Sequence, residues 1–367
     1  MVKIRRIEET EKSYWDIEIQ KYDGVHPLNA FEWGCVRRVD KWDPIYLVAE
    51  SKGRFRGAMM VLVKKIAYTP YSIIYSPKGP VWNCDDHEVL TELVREVRRL
   101  GSEKKAIFLR IDPNIREDAI GEMDMILARF GFIHLDKRWT FWNSPRDVYR
   151  IDLTRMESDE KLFNMLDRDT RRCIRKAEKD GVIIAAATEE RELREFYNIF
   201  REFSVAKGFM ARGYEYQKAL WEAYIKPNNG RLFLAKYKDR IIGGLVCIKF
   251  GRKCLAMHMG TPYKYQKLQT YYAYVWESIR WAKTEGCLWY SFRGVGTTPS
   301  QEYFKSKFLP EVVRLVGYYD LPLRPLLYKM FYSLEFTVLP RAWPFIISMR
   351  EKLHKTRAGN VGKEKAA

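Results

Sequence analysis

Arg212 and Tyr216 stand four apart near the start of a segment that reads as a helix running to Tyr224. That spacing sets a planar guanidinium beside an aromatic ring. Such a fork binds two oxygens of a phosphate or carboxylate at once, and the free amides of a helix N-terminus add partial positive charge. A capping or surface arginine would read the same way. Further on, Tyr303 or Phe304 together with Phe308 would pin one face of a short helix and leave Lys305 projecting, its ammonium available to a cleft. Trp33 and Arg37 lie four apart on a short helix that Asn29 can cap, and Trp42 follows the helix end. On spacing alone the tryptophans are core anchors and Arg37 is a solvated charge. The last grouping is larger. If Ser158 to Asp180 is one helix stopped by Gly181, then Lys161, Arg168, Arg172, Arg175 and Lys179 share a narrow stripe opposite Leu162, Leu166, Cys173 and Ala177. A stripe of this kind is either a solvated face or a receiver of phosphates, each of which releases a counterion when neutralised.

These groups need a scaffold, and the chain supplies one unit twice. Residues 46–64 and 232–250 align without a gap as strand, polar turn and strand, with Lys52-Gly53-Arg54 answering Lys238-Asp239-Arg240 and Gly57 answering Gly243. A helix-patterned segment (86–100; 268–284) and a short strand (106–112; 287–292) follow each copy. The fold class expected is α/β, two similar tandem domains from an internal duplication. Around these units the patterns predict an edge strand at Val2 to Ile7 and helices over 8–22, 116–130 and 189–203. Gly79-Pro80 punctuates a turn after Tyr75, and the loop at 293–299 is a weak signal. The domain boundaries expected are 1–150 plus about 317–336 for the first, 151–316 for the second, and 337–367 for a basic amphipathic tail.

Composition limits what the domains do. The 367 residues are 47% hydrophobic and 14% aromatic, enough for two cores. The N-terminus has no apolar signal region and no run of about 18 apolar residues occurs, so a cytoplasmic protein is expected. Six cysteines without CxxC spacing read as reduced thiols, with no metal site. A formal charge of +18 points to polyanions: nucleic acid, phosphorylated substrates or an anionic membrane. From 321 onward apolar residues mix with Arg and Lys and almost no acid; surface attachment is favoured over a helix docked on the core, and the last ten residues read as disordered.

A succession of motifs then carries a family resemblance. WGxxxR followed by W over 33–42, GP at 79–80, RIDP at 110–113, RxxIRKAxKxGV at 171–182, GFxxR at 208–212 with Tyr216, and FKxxF at 304–308 occur in this order. Together they resemble the FemABX peptidyltransferases over nearly the whole chain. The resemblance implies two acetyltransferase-like (GNAT-like) domains, the first binding the precursor and the second on the aminoacyl side. It implies transfer of an amino acid from aminoacyl-tRNA to an amine on the stem peptide of a peptidoglycan precursor, either lipid II or its UDP-linked form. Arg37 becomes the counterpart of a basic residue, often lysine, that contacts the phosphate-sugar part, with Trp33 and Trp42 beside it. Arg212 and Tyr216 match residues of the same pocket, and Lys305, next to Phe304, matches a lysine where the tRNA 3′ end meets the acyl group. Arg168, Arg172, Arg175 and Lys179 would receive tRNA phosphates. Residues 225–230 lead straight into the strand at 232, so the chain resembles members without the coiled-coil arm.

An aminoacyl ester is already activated, so the chemistry requires a positioned amine and a stabilised oxyanion, and neither cofactor nor metal. Asp112 is a candidate base and equally a turn residue before Pro113; the turn is favoured. A monomer is expected, with peripheral contact of the tail on the inner membrane face. Two rivals remain. An acyl-CoA-dependent N-acyltransferase needs a glycine-bearing basic loop, and the segments after Tyr75 and Gly260 lack its spacing. A non-enzymatic binder of RNA or anionic surfaces would explain the charge but not the ordered GFxxR and FKxxF segments.

Overall fold

The computed structural model describes residues 1–119, 123–135, 145–155, 157–209, 211–296 and 298–342. The first half runs β1 (Lys3–Ile7), α1 (Lys12–Ile19), α2 (Phe31–Arg37), β2 (Asp43–Ser51), β3 (Arg54–Lys65), β4 (Ser72–Ser76), β5 (Val81–Trp82), α3 (His87–Glu103), β6 (Ala106–Ile111), α4 (Met123–Arg129) and β7 (Ile133–Leu135). The second runs β8 (Asp147–Asp152), α5 (Asp159–Met165), α6 (Arg168–Lys179), β9 (Ile183–Ala186), α7 (Glu190–Ala206), α8 (Tyr214–Leu220), β10 (Gly230–Tyr237), β11 (Arg240–Phe250), β12 (Lys253–Gly260), α9 (Thr270–Thr284), β13 (Trp289–Gly294), α10 (Pro299–Ser306) and β14 (Glu311–Arg314). β15 (Tyr318–Pro322) and α11 (Pro325–Ser333) close the described chain, and the helix continues to 342 through a wider turn at Leu334–Val338.

The strands form two sheets. One has the order β1-β2-β3-β4-β6-β15-β7, with β5 beside β3; the other has the order β9-β10-β11-β12-β13-β8-β14. Read this way they match strand for strand, antiparallel except where β4 meets β6 and β12 meets β13. The sixth place in each is filled from elsewhere in the chain. β8 follows β7 in sequence yet pairs with β13, and β15 follows β14 yet pairs with β6. The expected boundary at 150 therefore falls inside a strand of the second sheet.

The two hairpins repeat in detail. Ala49 faces Gly57 and Ala235 faces Gly243, and the register slips immediately after each alanine. Their two-residue turns both take left-handed backbone, at Lys52 and Gly53 in one and Lys238 and Asp239 in the other, which suits the right-handed twist of the strands. A Cβ on Gly57 would meet Val89, Trp82 and the Val81 carbonyl; one on Gly243 would meet Thr261 and the Gly260 carbonyl.

α3 covers one face of the first sheet with Val89, Leu90, Leu93, Val94 and Val97, and α9 covers one face of the second with Tyr274, Val275, Ile279 and Ala282. Between the sheets lies a shared core, in which Trp15, Phe31, Trp33 and Tyr46 pack with Phe196, Tyr216, Trp221 and Tyr224.

Three expected elements differ. Segment 158–180 is two helices, because Leu166 is extended and Asp167 caps α6 by accepting from the Thr170 amide at 2.7 Å. Lys161 thus leaves the stripe carried by α6. Asn29 does not cap α2; its side chain accepts from the His26 amide at 2.8 Å and donates to the Pro77 carbonyl at 2.9 Å. Within 116–130 the described helix is Met123–Arg129, after one turn at Glu117–Ala119.

The start of the C-terminal segment is docked on the core. Arg110, in β6, donates to Asp320 at 2.7 and 2.8 Å and to Glu335 at 2.7 and 2.9 Å, and all three side chains are buried. Of the tail expected over 337–367, the structure describes 337–342; the segment read as disordered lies outside the described residues. Among the described residues no helix is long and apolar enough to cross a membrane.

Candidate active site

α2 is held by an aromatic contact. Tyr46 stacks on Phe31 at 3.9 Å between centroids and donates its hydroxyl to the Phe31 carbonyl at 2.7 Å, where Gly34 leaves room for it. This fixes Arg37, in the last turn, between two indoles: its guanidinium carbon lies 5.9 Å from the Trp33 ring and 5.7 Å from the Trp42 ring. The tryptophans are buried core anchors, but Arg37 is no solvated charge; its side chain is 11% exposed, with Nη1 3.3 Å from Asp40. Its buried Nε has no hydrogen-bond partner among the described residues.

Arg212 enters the same pocket from the segment before α8. It pairs with Asp40, and its guanidinium lies 4.6 Å from the ring of buried Tyr216. Lys64, on β3, stands 5.3 Å over Trp42. Burial and then Arg212 pull Arg37 below its ordinary range; burial also lowers Lys64, where Arg37 and Arg212 oppose the help of Asp40. Three cations crowd one carboxylate. Such a site gains from an anion.

A second group adjoins it through the Trp42–Tyr75 contact, 6.3 Å between centroids. Parallel pairing of β4 with β6 sets Tyr75 near Asp112. The Asp112 carboxylate accepts from Tyr75 at 3.0 Å, from the Lys78 amide at 2.8 Å and from the Lys78 ammonium at 2.9 Å. These donors, with the cis Gly79–Pro80 bond and the Asn29 bridge to Pro77, shape the 76–80 turn. Asp112 is placed to hold this turn rather than to take a proton.

Lys305 forms the third group. Thr298 caps α10, and Phe304 packs against Tyr271, Tyr272 and Phe308 at 5.7, 5.2 and 5.6 Å, so its ring is committed to the core. Lys305 is drawn in as well, its ammonium donating to the Gly294 carbonyl at 2.6 Å and lying 3.5 Å from that of Phe292. Those two carbonyls flank Arg293, which sits in left-handed backbone at φ 64°. Burial, reinforced by Arg293, lowers Lys305 to about 8. Arg293 is itself lowered by burial, opposed by Tyr216 and reinforced by Arg212. His258 on β12 is pushed to about 3 by burial, Arg293 and Arg212, and its neutral ring lies 3.2 Å from Gln217.

The structure thus brings Trp33, Arg37, Trp42, Arg212 and Tyr216 into one pocket, with Asp112 adjoining and Lys305 linked through Arg293. Arg168, Arg172, Arg175 and Lys179 are exposed on α6, and none of the pocket contacts described above involves them. Arg172 pairs with Asp169 at 3.2 Å, and Arg175 lies 5.2 Å over the Phe163 ring. α6 is tied to α10, since Lys307 pairs with Asp167 at 3.1 Å. Sequence reasoning missed Asp40, Lys64, Tyr75, Lys78, Arg293 and His258. For Lys78 and Arg293 the signal was present: each is a cation beside a glycine at the end of a strand.

Against known proteins, the profile of the FemAB family matches residues 19–238 and 228–335. The chain belongs to the FemAB family. The lipid II:glycine glycyltransferase of Staphylococcus epidermidis is 24% identical over 236 residues, covering 61% of this chain. The chain spans 56% of that relative's length. The UDP-N-acetylmuramoylpentapeptide-lysine N(6)-alanyltransferase of Weissella viridescens is 25% identical over 309 residues, 81% of this chain and 89% of the relative. Among solved structures, FemX superposes with a TM-score of 0.80 at 16% identity, covering 89% of this chain and 99% of FemX. A tandem GNAT protein from the clavulanic acid biosynthesis pathway gives 0.56 at 10% identity over 89% of this chain and 99% of its own. The fold of this FemAB protein is therefore the tandem GNAT-like one.

Proposed function

We propose that this FemAB protein moves an amino acid from aminoacyl-tRNA to an amine on the stem peptide of a peptidoglycan precursor. The observation that carries this reading is the pocket where Arg37 and Arg212 reach the same Asp40 from the two halves, with Lys64 alongside. Guanidinium forks set this way suit the paired phosphate oxygens of a nucleotide- or lipid-linked precursor. On this reading the half built on the first sheet holds the precursor, with Arg212 contributed across the pocket, and the half built on the second sheet receives the donor.

In the reaction the amine nitrogen attacks the ester carbonyl carbon. The new C–N bond forms as the C–O bond to the ribose breaks, and one proton passes from the amine while the ribose oxygen gains one. The charge on Lys305, held at the Gly294 turn, stabilises the oxyanion or the departing oxygen. α6, tied to α10 through Lys307, offers Arg168, Arg172, Arg175 and Lys179 to the tRNA backbone. The protein works as a peripheral component at the inner membrane face.

The test is transfer of label from a pool of radiolabelled aminoacyl-tRNAs to UDP-linked or lipid-linked pentapeptide, beside an acetyl-CoA control. Label moving to the peptide, and lost with RNase, is the expected result. Transfer from acetyl-CoA alone would overturn the reading.

A further inference from the structure

The C-terminal helix has one face too many. Inward, Tyr328 and Glu335 are buried, and Leu327, Phe331, Tyr332 and Phe336 pack on the core. Outward, Leu326, Met330, Leu334 and Val338 are 79%, 69%, 46% and 50% exposed. At four-residue spacing they make an apolar row about 18 Å long. A single exposed leucine needs no explanation, but a row of four on one helix does. Rolling the helix to hide it would break the Arg110 bonds to Glu335 and the 3.0 Å bond from the Tyr328 hydroxyl to Asp320.

The neighbouring end of the first sheet has the same character. Lys65 pairs with Ser72, Ser72 pairs with Ala106, and the Leu323 and Arg324 amides both donate to the Ile107 carbonyl at 2.9 Å. The first turn of α11, the 66–71 turn and Lys104–Lys105 therefore share this end. The Arg324 guanidinium lies 5.6 Å from the Tyr71 ring. At the turn's tip Tyr68 is fully exposed and left-handed, with φ 62°, a conformation costly for a bulky side chain. Cations predominate: Lys65 and Lys105 are exposed at this end and Lys329 and Arg341 on the helix, with Asp43, opposite Val63, the exposed carboxylate at the sheet end. In 64–76 and 321–342 the single carboxylate is Glu335, buried on Arg110. Nearby Glu103 is held by Arg6 at 3.1 Å and Lys104 at 3.4 Å.

We propose that this end of the first sheet seats on an anionic bilayer, with Leu326, Met330, Leu334, Val338 and Tyr68 entering the interface while the lysines and Arg341 meet lipid phosphates. A polynucleotide has no use for the apolar row. The surface also adjoins the pocket. Lys64, over Trp42, precedes Tyr68 by four residues, so the two are within about 13 Å along the chain. A lipid-linked phosphate held by Arg37 and Arg212 would have its lipid chain beside this surface, a placement that rests on the acceptor proposed above.

The experiment is co-sedimentation of the full chain with phosphatidylcholine vesicles, with and without phosphatidylglycerol, for wild type and the double variant Met330→Glu, Leu334→Glu. Both positions are exposed, so circular dichroism and Tm should not change. Wild type should favour the anionic vesicles, and the variant should bind them about tenfold more weakly. Transfer to a UDP-linked acceptor should be equal for the two proteins, while transfer to a lipid-linked acceptor in vesicles should fall in the variant. Wild type that ignores vesicles, or a variant that binds as well, overturns the proposal. So does a wild-type dimer by light scattering that the variant dissociates, which would assign the row to a second copy. Vesicle binding without transfer from any donor would sink the proposed reaction and leave this surface standing.

Discussion

The site has two cationic ends, and they are built differently. At the Arg37 end the charges are guanidiniums, pressed against Trp33, Trp42 and Tyr216 and sharing the carboxylate of Asp40. At the Lys305 end the charge is an ammonium held by backbone carbonyls, with Arg293 as its close charged neighbour. Arginine stays charged at any working pH, whereas a lysine lowered to about 8 can change state. The contrast suits permanent binding of an anion at one end and management of a transient charge at the other.

That division can be broken from either side. Lys305→Ala should lower kcat about a hundred- to thousand-fold with little change in the acceptor KM, measured in the tRNA-dependent transfer assay. Arg212→Ala should do the reverse, raising the acceptor KM about a hundredfold and sparing kcat at saturation. Because Arg37 and Arg212 share Asp40, adding Arg37→Ala should cost less than the product of the single effects, which a double-mutant cycle would show.

The pH profile sharpens the same contrast. Lys305 is charged below about 8 and neutral above it. The ratio of wild-type kcat/KM to that of Lys305→Arg should therefore be flat at low pH and fall about tenfold per unit above that point. Taking the ratio cancels the titration of the attacking amine. A ratio flat through pH 10 would mean that the ammonium has no part in the chemistry. The smallest effect belongs to α6, where Arg168→Ala and Arg172→Ala should each raise the tRNA KM a fewfold and reduce its salt dependence by about one phosphate contact.

How much of this could be read beforehand depended on whether the determinant was local. The hairpins were legible because Lys52-Gly53 and Lys238-Asp239 are turn signals and Gly57 and Gly243 mark the same place in each copy. The exchange of β8 and β15 was not, since alternation shows that a segment is a strand but not which sheet takes it. The α5–α6 break was signalled by Asp167, whose capping the helical periodicity concealed. Arg37 and Arg212 were singled out in the sequence, but Asp40, which joins them, carries no motif of its own and is reached only through the fold. Lys305 was placed on its helix, but its inward turn onto Gly294 depends on a strand eleven residues away.

The most direct test of the account is the acceptor's phosphate. Transfer by wild type and by Arg212→Ala should be compared for UDP-linked pentapeptide and for the same muropeptide without phosphate. Wild type should favour the phosphorylated acceptor about a hundredfold in kcat/KM, and Arg212→Ala should lose most of that preference. Equal use of both acceptors by wild type, or a preference that survives Arg212→Ala unchanged, would contradict the assignment of the Arg37–Arg212 pocket to an anion.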